Sequence, residues 1–200
     1  MLWQFKVDKR IKDFELRDNP VIITVNKFDE DSAKEFSSKI SMAHSTGQKV
    51  IPVVIDSYGG QVYSLMRMIS AIKASDLPIA TIVEGKAMSC GAILFSFGEE
   101  GMRYMDPDAT VMIHDVSSGA IGKVEEVKAS AEESDRLNDK VYKMMARNCG
   151  QPDDYFKKQI HEKGHADWYL TAKEAKKINL ANHLRLPKMK VNLSVDITFN

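Results

Sequence analysis

Cysteine is scarce in this chain of 200 residues, which contains only Cys90 and Cys149. Two cysteines provide no disulfide framework and are typical of a reducing compartment, so we expect a cytoplasmic setting. No apolar run approaches the roughly 18 residues that suggest a membrane-spanning helix. The first residues, MLWQFKVDKR, also lack the apolar centre of a secretory signal. The sequence therefore predicts neither a membrane partner nor a signal peptide.

The chain also lacks an excess of either charge, since 28 basic residues balance 28 acidic ones. No basic stripe interleaved with aromatic residues is present, and we expect no nucleic-acid partner. The length suits one domain, or one domain with a small appendage, and allows a sizeable core. We expect no cofactor and no bound metal.

Apolar strands alternate with amphipathic helices through the first half of the chain. Strands are predicted at 21–26, at 50–55 and from residue 78, and helices at 29–43 and 61–74. This order predicts repeated βαβ units with parallel strands, and ligands bind at the carboxyl ends of such strands. Pro52 favours an edge position or a bulge for the second strand.

Two residues that can carry out nucleophilic chemistry follow predicted strands. Ser89 lies between an apolar strand and a short apolar helix that ends at Gly98, and His114 ends a second strand at 109–113. A serine and a histidine at neighbouring strand ends form a candidate nucleophile and base. The alternatives are a helix N-cap for Ser89 and a hydrogen-bonded histidine at a strand edge for His114.

The second half of the chain is dominated by one long helix, predicted at 123–148 and ended by Gly150. A helix of this length in a small domain is expected to project and to contact a partner. A helix at 152–163, a short strand at 167–170 and a helix at 171–178 follow, the last with a capping box of Thr171 and Glu174. The alternation from residue 191 predicts an outer strand.

Four motifs in this order resemble those of the ClpP family of self-compartmentalised serine peptidases. They are 56–60 (DSYGG), 85–92 (GKAMSCGA), 111–114 (VMIH) and 167–175 (DWYLTAKEA). The resemblance runs from about Val21 to Leu186. It implies the ClpP/crotonase superhelix of βαβ units, with the long helix projecting from it. The implied organisation is an arm at 1–19, a peptidase domain at 20–187 and an extension strand at 188–200.

The resemblance also implies a set of site residues. Ser89 would be the nucleophile, His114 the base and Asp167 the residue that orients the base. The backbone N–H groups of Gly60 and Cys90 would form the oxyanion hole. A strand after Gly60 and the stretch 115–122 would bind an extended substrate peptide. The substrate residues implied are Gly59, Val62, Asp115 and Val116.

The family's usual assembly and activity are implied in the same way. They are a serine endopeptidase acting on unfolded polypeptides in a chamber, and a heptameric ring of identical subunits, single or stacked as a tetradecamer. A AAA+ unfoldase would be the partner. Some motif positions differ from the usual pattern. Tyr58 replaces proline, Cys90 replaces methionine, Asp115-Val116 replaces Gln-Pro and Ala166 replaces arginine. Asp115, beside the base, would either raise the pKa of His114 or point to water.

Other chemistries remain open at this stage. His161, Glu162 and His165 match the H-E-x-x-H zinc peptidase motif, although Gly164 interrupts it near the expected helix end. Cys90 is a candidate thiol nucleophile, although a small residue that provides its N–H is the simpler interpretation. A crotonase-type acyl-CoA enzyme would use the paired N–H groups without a serine. A catalytically silent ring subunit would keep the oligomer alone.

Overall fold

The computed structural model of the protein describes residues 20–189, so the predicted N-terminal arm and the strand predicted from residue 191 lie outside the described residues. Strands and helices alternate along most of the described part. The strands are β1 (Ile23–Val25), β2 (Ile51–Ser57), β3 (Ile79–Met88), β4 (Arg103–Met105), β5 (Thr110–Ile113) and β6 (Trp168–Thr171). The helices are α1 (Glu30–Ala43), α2 (Val62–Lys73), α3 (Cys90–Phe95), α4 (Val124–Asn148), α5 (Tyr155–Glu162) and α6 (Ala172–Lys177).

The strands form a single sheet in the order β1-β2-β3-β5-β6, with β4 also paired to β3. All pairings from β1 to β5 are parallel, because the connections return each strand in the same direction. This confirms the predicted βαβ units. β6 runs antiparallel to β5. The short strand β4 was not predicted from the sequence.

Helix α1 shows how local sequence sets an element and its buried face. The Asp29 carboxylate accepts a hydrogen bond from the Ser32 N–H at 2.8 Å, and the Ser32 hydroxyl accepts one from the Asp29 N–H at 2.9 Å. The face predicted from the helical period is the face that is buried, comprising Ala33, Phe36, Ile40 and Ala43.

The position of Pro52 corrects one prediction, since β2 lies between β1 and β3 rather than at an edge. The Ile51 N–H donates to the Pro78 carbonyl on the β3 side. Successive residues of a strand bond to opposite sides, so the nitrogen of Pro52 faces β1. The registered pairs of β1 begin only at Ile23 and Val53. At Pro52, therefore, β1 offers no registered partner, and the N–H that proline lacks costs the sheet no hydrogen bond.

Helix α4 confirms the predicted long helix, and its two halves differ in burial. The buried residues all lie in the second half and are Leu137, Val141, Tyr142, Met145 and Ala146. In the first half, Val124 is 68% exposed and Val127 is 39% exposed. The first half thus extends away from the core. Although α4 has 25 residues, no helix among residues 20–189 is both long and apolar enough to cross a bilayer.

Candidate active site

Ser89 occupies a sharp turn between β3 and α3. Its backbone has φ 54° and ψ −120°, a conformation that costs a non-glycine residue about 1–3 kcal/mol. Its carbonyl accepts hydrogen bonds from the Ala92 and Ile93 N–H groups and so starts α3. Ser89 stands at the N-cap position, but its side chain makes no capping hydrogen bond. The hydroxyl is therefore left available for another role.

A backbone hydrogen bond fixes this turn relative to the strand that carries His114. The Ser89 N–H donates to the Met112 carbonyl at 2.8 Å. Met88 and Met112 are also paired in the parallel register of β3 and β5. Since His114 lies two residues after Met112, the serine and the histidine emerge from adjacent strands at the same edge of the sheet.

Gly59 and Gly60 pack against this turn in conformations that a side chain would obstruct. Gly59 has φ 104°, and an added Cβ would lie 2.8 Å from the Ser89 Cβ. Gly60 has φ 149°, and an added Cβ would lie 2.5 Å from the Phe28 carbonyl oxygen. Both distances are shorter than a Cβ contact allows, so close backbone approach requires glycine at both positions.

An irregularity in β3 brings the Ser89 turn to these glycines. Ile55 pairs with Val83, and Ser57 pairs with Ala87, so two steps along β2 match four along β3. The extra length includes Gly85, where an added Cβ would lie 3.0 Å from the Asp56 carboxylate. That carboxylate binds the Lys86 ammonium at 2.9 Å. The sequence analysis did not foresee this bulge.

The backbone N–H groups of Gly60 and Cys90 are the expected oxyanion donors. Outside the regular helix and strand pairings of residues 20–189, no backbone–backbone hydrogen bond has either group as its donor. Cys90 begins α3, where the first N–H groups have no acceptor inside the helix. Both N–H groups thus lie beside the Ser89 turn, and an oxyanion there would need two such donors.

The side chain of Cys90 is directed into the core rather than towards the cleft. The residue is buried, and its Sγ donates to the Gly60 carbonyl at 3.2 Å. Burial raises the pKa of this thiol to about 11, so the reactive thiolate is suppressed at neutral pH. These properties disfavour a thiol nucleophile.

His114 and Asp167 meet at the ends of β5 and β6. The last registered pair of these antiparallel strands is Ile113 with Trp168, so the next residues outward are His114 and Asp167. The His114 Nδ1 lies 3.9 Å from the Asp167 Oδ1. No hydrogen bond joins Ser89 to His114 among residues 20–189. The backbones of Ser89 and His114 thus lie on adjacent strands, and the His114 and Asp167 side chains approach each other without forming a hydrogen bond.

The structure also locates the residues expected to bind substrate. No strand follows Gly60, because Val62 begins α2 and is half-buried against the core. The Val116 N–H donates to the Asn138 side chain at 2.6 Å. This contact with α4 was not anticipated. Gly59 packs against the Ser89 side chain.

The Asp115 carboxylate neither contacts His114 nor points freely to water. One oxygen accepts from the Tyr142 hydroxyl at 3.0 Å, and the other lies 2.7 Å from the His165 Nδ1. Burial, with the neighbouring carboxylate, raises the pKa of Tyr142, which therefore stays a donor. Asp115 thus links the loop after β5 to α4 and to the loop before β6. The sequence carries no local signal for these contacts.

The H-E-x-x-H segment does not form a helical zinc motif. Helix α5 ends at Glu162, and Gly164 and His165 both have positive φ, so the two histidines do not share one helical face. Their rings meet nonetheless, with the His161 Nδ1 3.0 Å from the His165 Nε2. In residues 20–189, no group of three or more His, Cys, Asp or Glu side chains is arranged to hold a metal ion.

A family model described as Clp protease matches residues 9–185 of the chain. The match covers most of the chain, and the protein therefore belongs to the Clp protease family. It has the mixed α/β fold of ClpP, with its parallel sheet and long helix α4. The match implies a peptidase, and the Clp protease family generally forms oligomeric rings with unfoldases.

Proposed function

We propose that this protein is a serine endopeptidase in which Ser89 is the nucleophile, His114 the general base and Asp167 the orienting acid. The observation that supports this most directly is the Ser89 turn, with its positive φ and uncapped hydroxyl. A serine held in such a turn is exposed for attack on a carbonyl carbon. His114 would take the hydroxyl proton during attack and return it to the leaving amine.

The backbone N–H groups of Gly60 and Cys90 would bind the oxyanion of the tetrahedral intermediate. Each such donor is worth about two to three orders of magnitude in rate. Asp167 would hold the imidazole in the tautomer with Nδ1 protonated and would stabilise the imidazolium. This requires the 3.9 Å separation of His114 and Asp167 to shorten when substrate binds.

Substrate would bind as an extended peptide between the turn at Gly59 and the loop 115–122. The Val116 N–H is already used by Asn138, so main-chain groups beyond Val116 are proposed to pair with the peptide. The exposed apolar residues of the first half of α4 would contact another subunit. We propose that the sites face a chamber built from rings of identical subunits, heptameric and single or stacked as a tetradecamer. An ATP-driven unfoldase would supply unfolded chains.

The test is a fluorophosphonate probe followed by intact-mass analysis of the native oligomer and peptide mapping. We expect a single adduct at Ser89 and cleavage of an unfolded protein substrate, with neither affected by a chelator. Both should be lost in Ser89→Ala. Ser45→Ala is the matched control, because Ser45 is an exposed serine in the turn after α1 and should change neither result.

Absence of an adduct on a fully assembled oligomer would contradict the proposal. That result, together with retained ring mass, is the one expected of a catalytically silent ring subunit. Labelling at Cys90 instead of Ser89 would also overturn the assignment of the nucleophile.

A further inference from the structure

A second pair of a histidine and a carboxylate lies beside the proposed base and acid, in the segments that follow β5 and precede β6. Asp115 directly follows His114, and His165 precedes Asp167 by two residues. The Asp115 Oδ2 and the His165 Nδ1 are 2.7 Å apart. This contact therefore joins the same two backbone segments as the His114–Asp167 pair. Its residues lie further along each segment from the last registered pair of β5 and β6, Ile113 with Trp168.

The protons of this contact can be assigned from its partners. The Asp115 carboxylate accepts only, so the His165 Nδ1 must carry the hydrogen. In the neutral ring, the His165 Nε2 is then an acceptor, and it receives the His161 Nδ1–H at 3.0 Å. Protonation of His165 leaves the Nδ1–H in place. The bond to Asp115 therefore persists whether His165 is neutral or charged.

Further contacts hold the pair to the body of the protein. The second Asp115 oxygen accepts from Tyr142, which lies on α4 and is 1% exposed. His161 lies on α5. A cavity of about 400 Å³ adjoins the cluster and contains Lys157 and Lys158 in its lining. The Asp115 carboxylate thus connects the end of β5 to α4, and the His165 imidazole connects the segment before β6 to α5.

The proposed base and acid have few contacts of their own. The Asp167 side chain is 49% exposed, and it lies 3.9 Å from His114 and 3.5 Å from the Tyr169 hydroxyl. Neither distance belongs to a strong hydrogen bond. The separation of His114 and Asp167 is therefore set mainly by where their backbone segments are held.

We propose that Asp115 and His165 form a positioning pair that sets the separation of His114 and Asp167. This inference depends on the proposed function for its effect on catalysis, whereas its effect on the two strand ends does not. His165 touches no substrate in this account and acts only through the segment that carries Asp167. The pair connects residues 50 positions apart in the sequence.

The backbone of His165 suggests a matched pair of variants. Its φ is 60°, a conformation that both glycine and asparagine tolerate. His165→Gly removes the donor, whereas His165→Asn keeps an amide N–H near the position of Nδ1. We expect His165→Gly to lower kcat about tenfold with little change in KM, since small misplacements of catalytic groups are costly. His165→Asn should return kcat to within about threefold of the wild type.

The activity measurements are paired with hydrogen-exchange mass spectrometry at pH 7 on peptides covering 110–116 and 164–171. His165→Gly should accelerate exchange in both segments, and His165→Asn should not. Lys158→Ala, which changes the lining of the adjoining cavity but no hydrogen bond of the pair, should resemble the wild type in kcat. A chelator should change none of these results.

The outcomes separate this inference from the proposed function. Wild-type protein that hydrolyses no peptide but shows the expected exchange pattern would contradict the peptidase while supporting the pair. An active wild type with equal kcat in both His165 variants would overturn the pair alone. Unchanged exchange in His165→Gly would also overturn it, whatever the activity. If that equal kcat were a reduced one, the loss would be due to the missing ring rather than to the bond with Asp115.

Discussion

The two halves of the candidate site differ in how firmly they are held. The nucleophile half consists of the Ser89 turn and the glycines that pack against it. It has no room for a further carbon atom, because an added Cβ at Gly59 would lie 2.8 Å from the Ser89 Cβ. In the base-and-acid half, His114 and Asp167 are 3.9 Å apart and the Asp167 side chain is 49% exposed. The backbone of the first half is thus preorganised, whereas the second half depends on side chains that can move. Substitutions in the first half should therefore cost more.

Among substitutions that keep Ser89, His114 and Asp167, the largest effect is expected from Gly59→Ala. The new methyl group would displace Ser89 from its turn, and a shift of about 1 Å can reduce the rate by 10²-fold even before oxyanion contacts are lost. We expect kcat/KM to fall by about three orders of magnitude, with loss of fluorophosphonate labelling at Ser89. Steady-state kinetics on a peptide substrate and intact-mass analysis measure both effects.

Gly47→Ala is the control for this substitution. Gly47 also has positive φ, 79°, but an added Cβ there would meet no atom within 4 Å. Its cost should be limited to backbone strain of about 1 kcal/mol in the free energy of unfolding, with kcat/KM unchanged. If both variants lost the same activity, strain alone rather than contact with Ser89 would be responsible.

The two halves of the site also differ in how far local sequence patterns predict them. The strand, the turn at Ser89 and the helix after it are encoded locally, by an apolar β-branched run, small residues and a second apolar run. His114 can be located in the same way, because it follows an apolar run that predicts a strand at 109–113. Asp167 was assigned by resemblance to a family, because a single carboxylate before a short strand has no pattern of its own.

The remaining features depend on pairing between distant segments. The bulge in β3 exists only in its register with β2, and β4 is three residues long with no periodicity to detect. The prediction for Pro52 was wrong because it did not account for how far β1 extends along β2. The Asp115–His165 contact joins two loops whose sequences give no sign of each other. Local sequence patterns therefore predict the helices and strands, but not the contacts between distant segments that position the residues of the site.

An intermediate effect is expected from Asp167→Asn. In tightly hydrogen-bonded triads this change costs about 10⁴-fold, because the amide favours the wrong imidazole tautomer. Here the carboxylate is half exposed and 3.9 Å from the ring, so water can replace part of its role. We expect a loss of about 10²-fold in kcat, measured with saturating peptide. Ser89→Ala, measured beside it, should lose more. A loss in Asp167→Asn as large as that in Ser89→Ala would mean that the triad closes tightly in the working enzyme.

The smallest effect is expected at Cys90, although it adjoins the nucleophile. Its proposed contribution to the site is a backbone N–H, which every substitution except proline keeps. Its thiol is buried, with a pKa raised to about 11, and it contacts the Gly60 carbonyl at 3.2 Å. Cys90→Ala should therefore leave kcat/KM within about threefold of the wild type, and iodoacetamide should not inhibit either protein.

Cys90→Ser tests whether the contact with the Gly60 carbonyl matters, because the serine hydroxyl can still donate to it. That carbonyl belongs to the peptide that follows the Gly60 N–H, so losing its partner leaves the oxyanion donor in place. We expect the alanine and serine variants to have the same kcat/KM within error. A 100-fold loss in both variants would place the thiol itself in the reaction. A loss in Cys90→Ala that is absent in Cys90→Ser would show that the Sγ contact orients the oxyanion hole, extending the firmly held half of the site to this side chain.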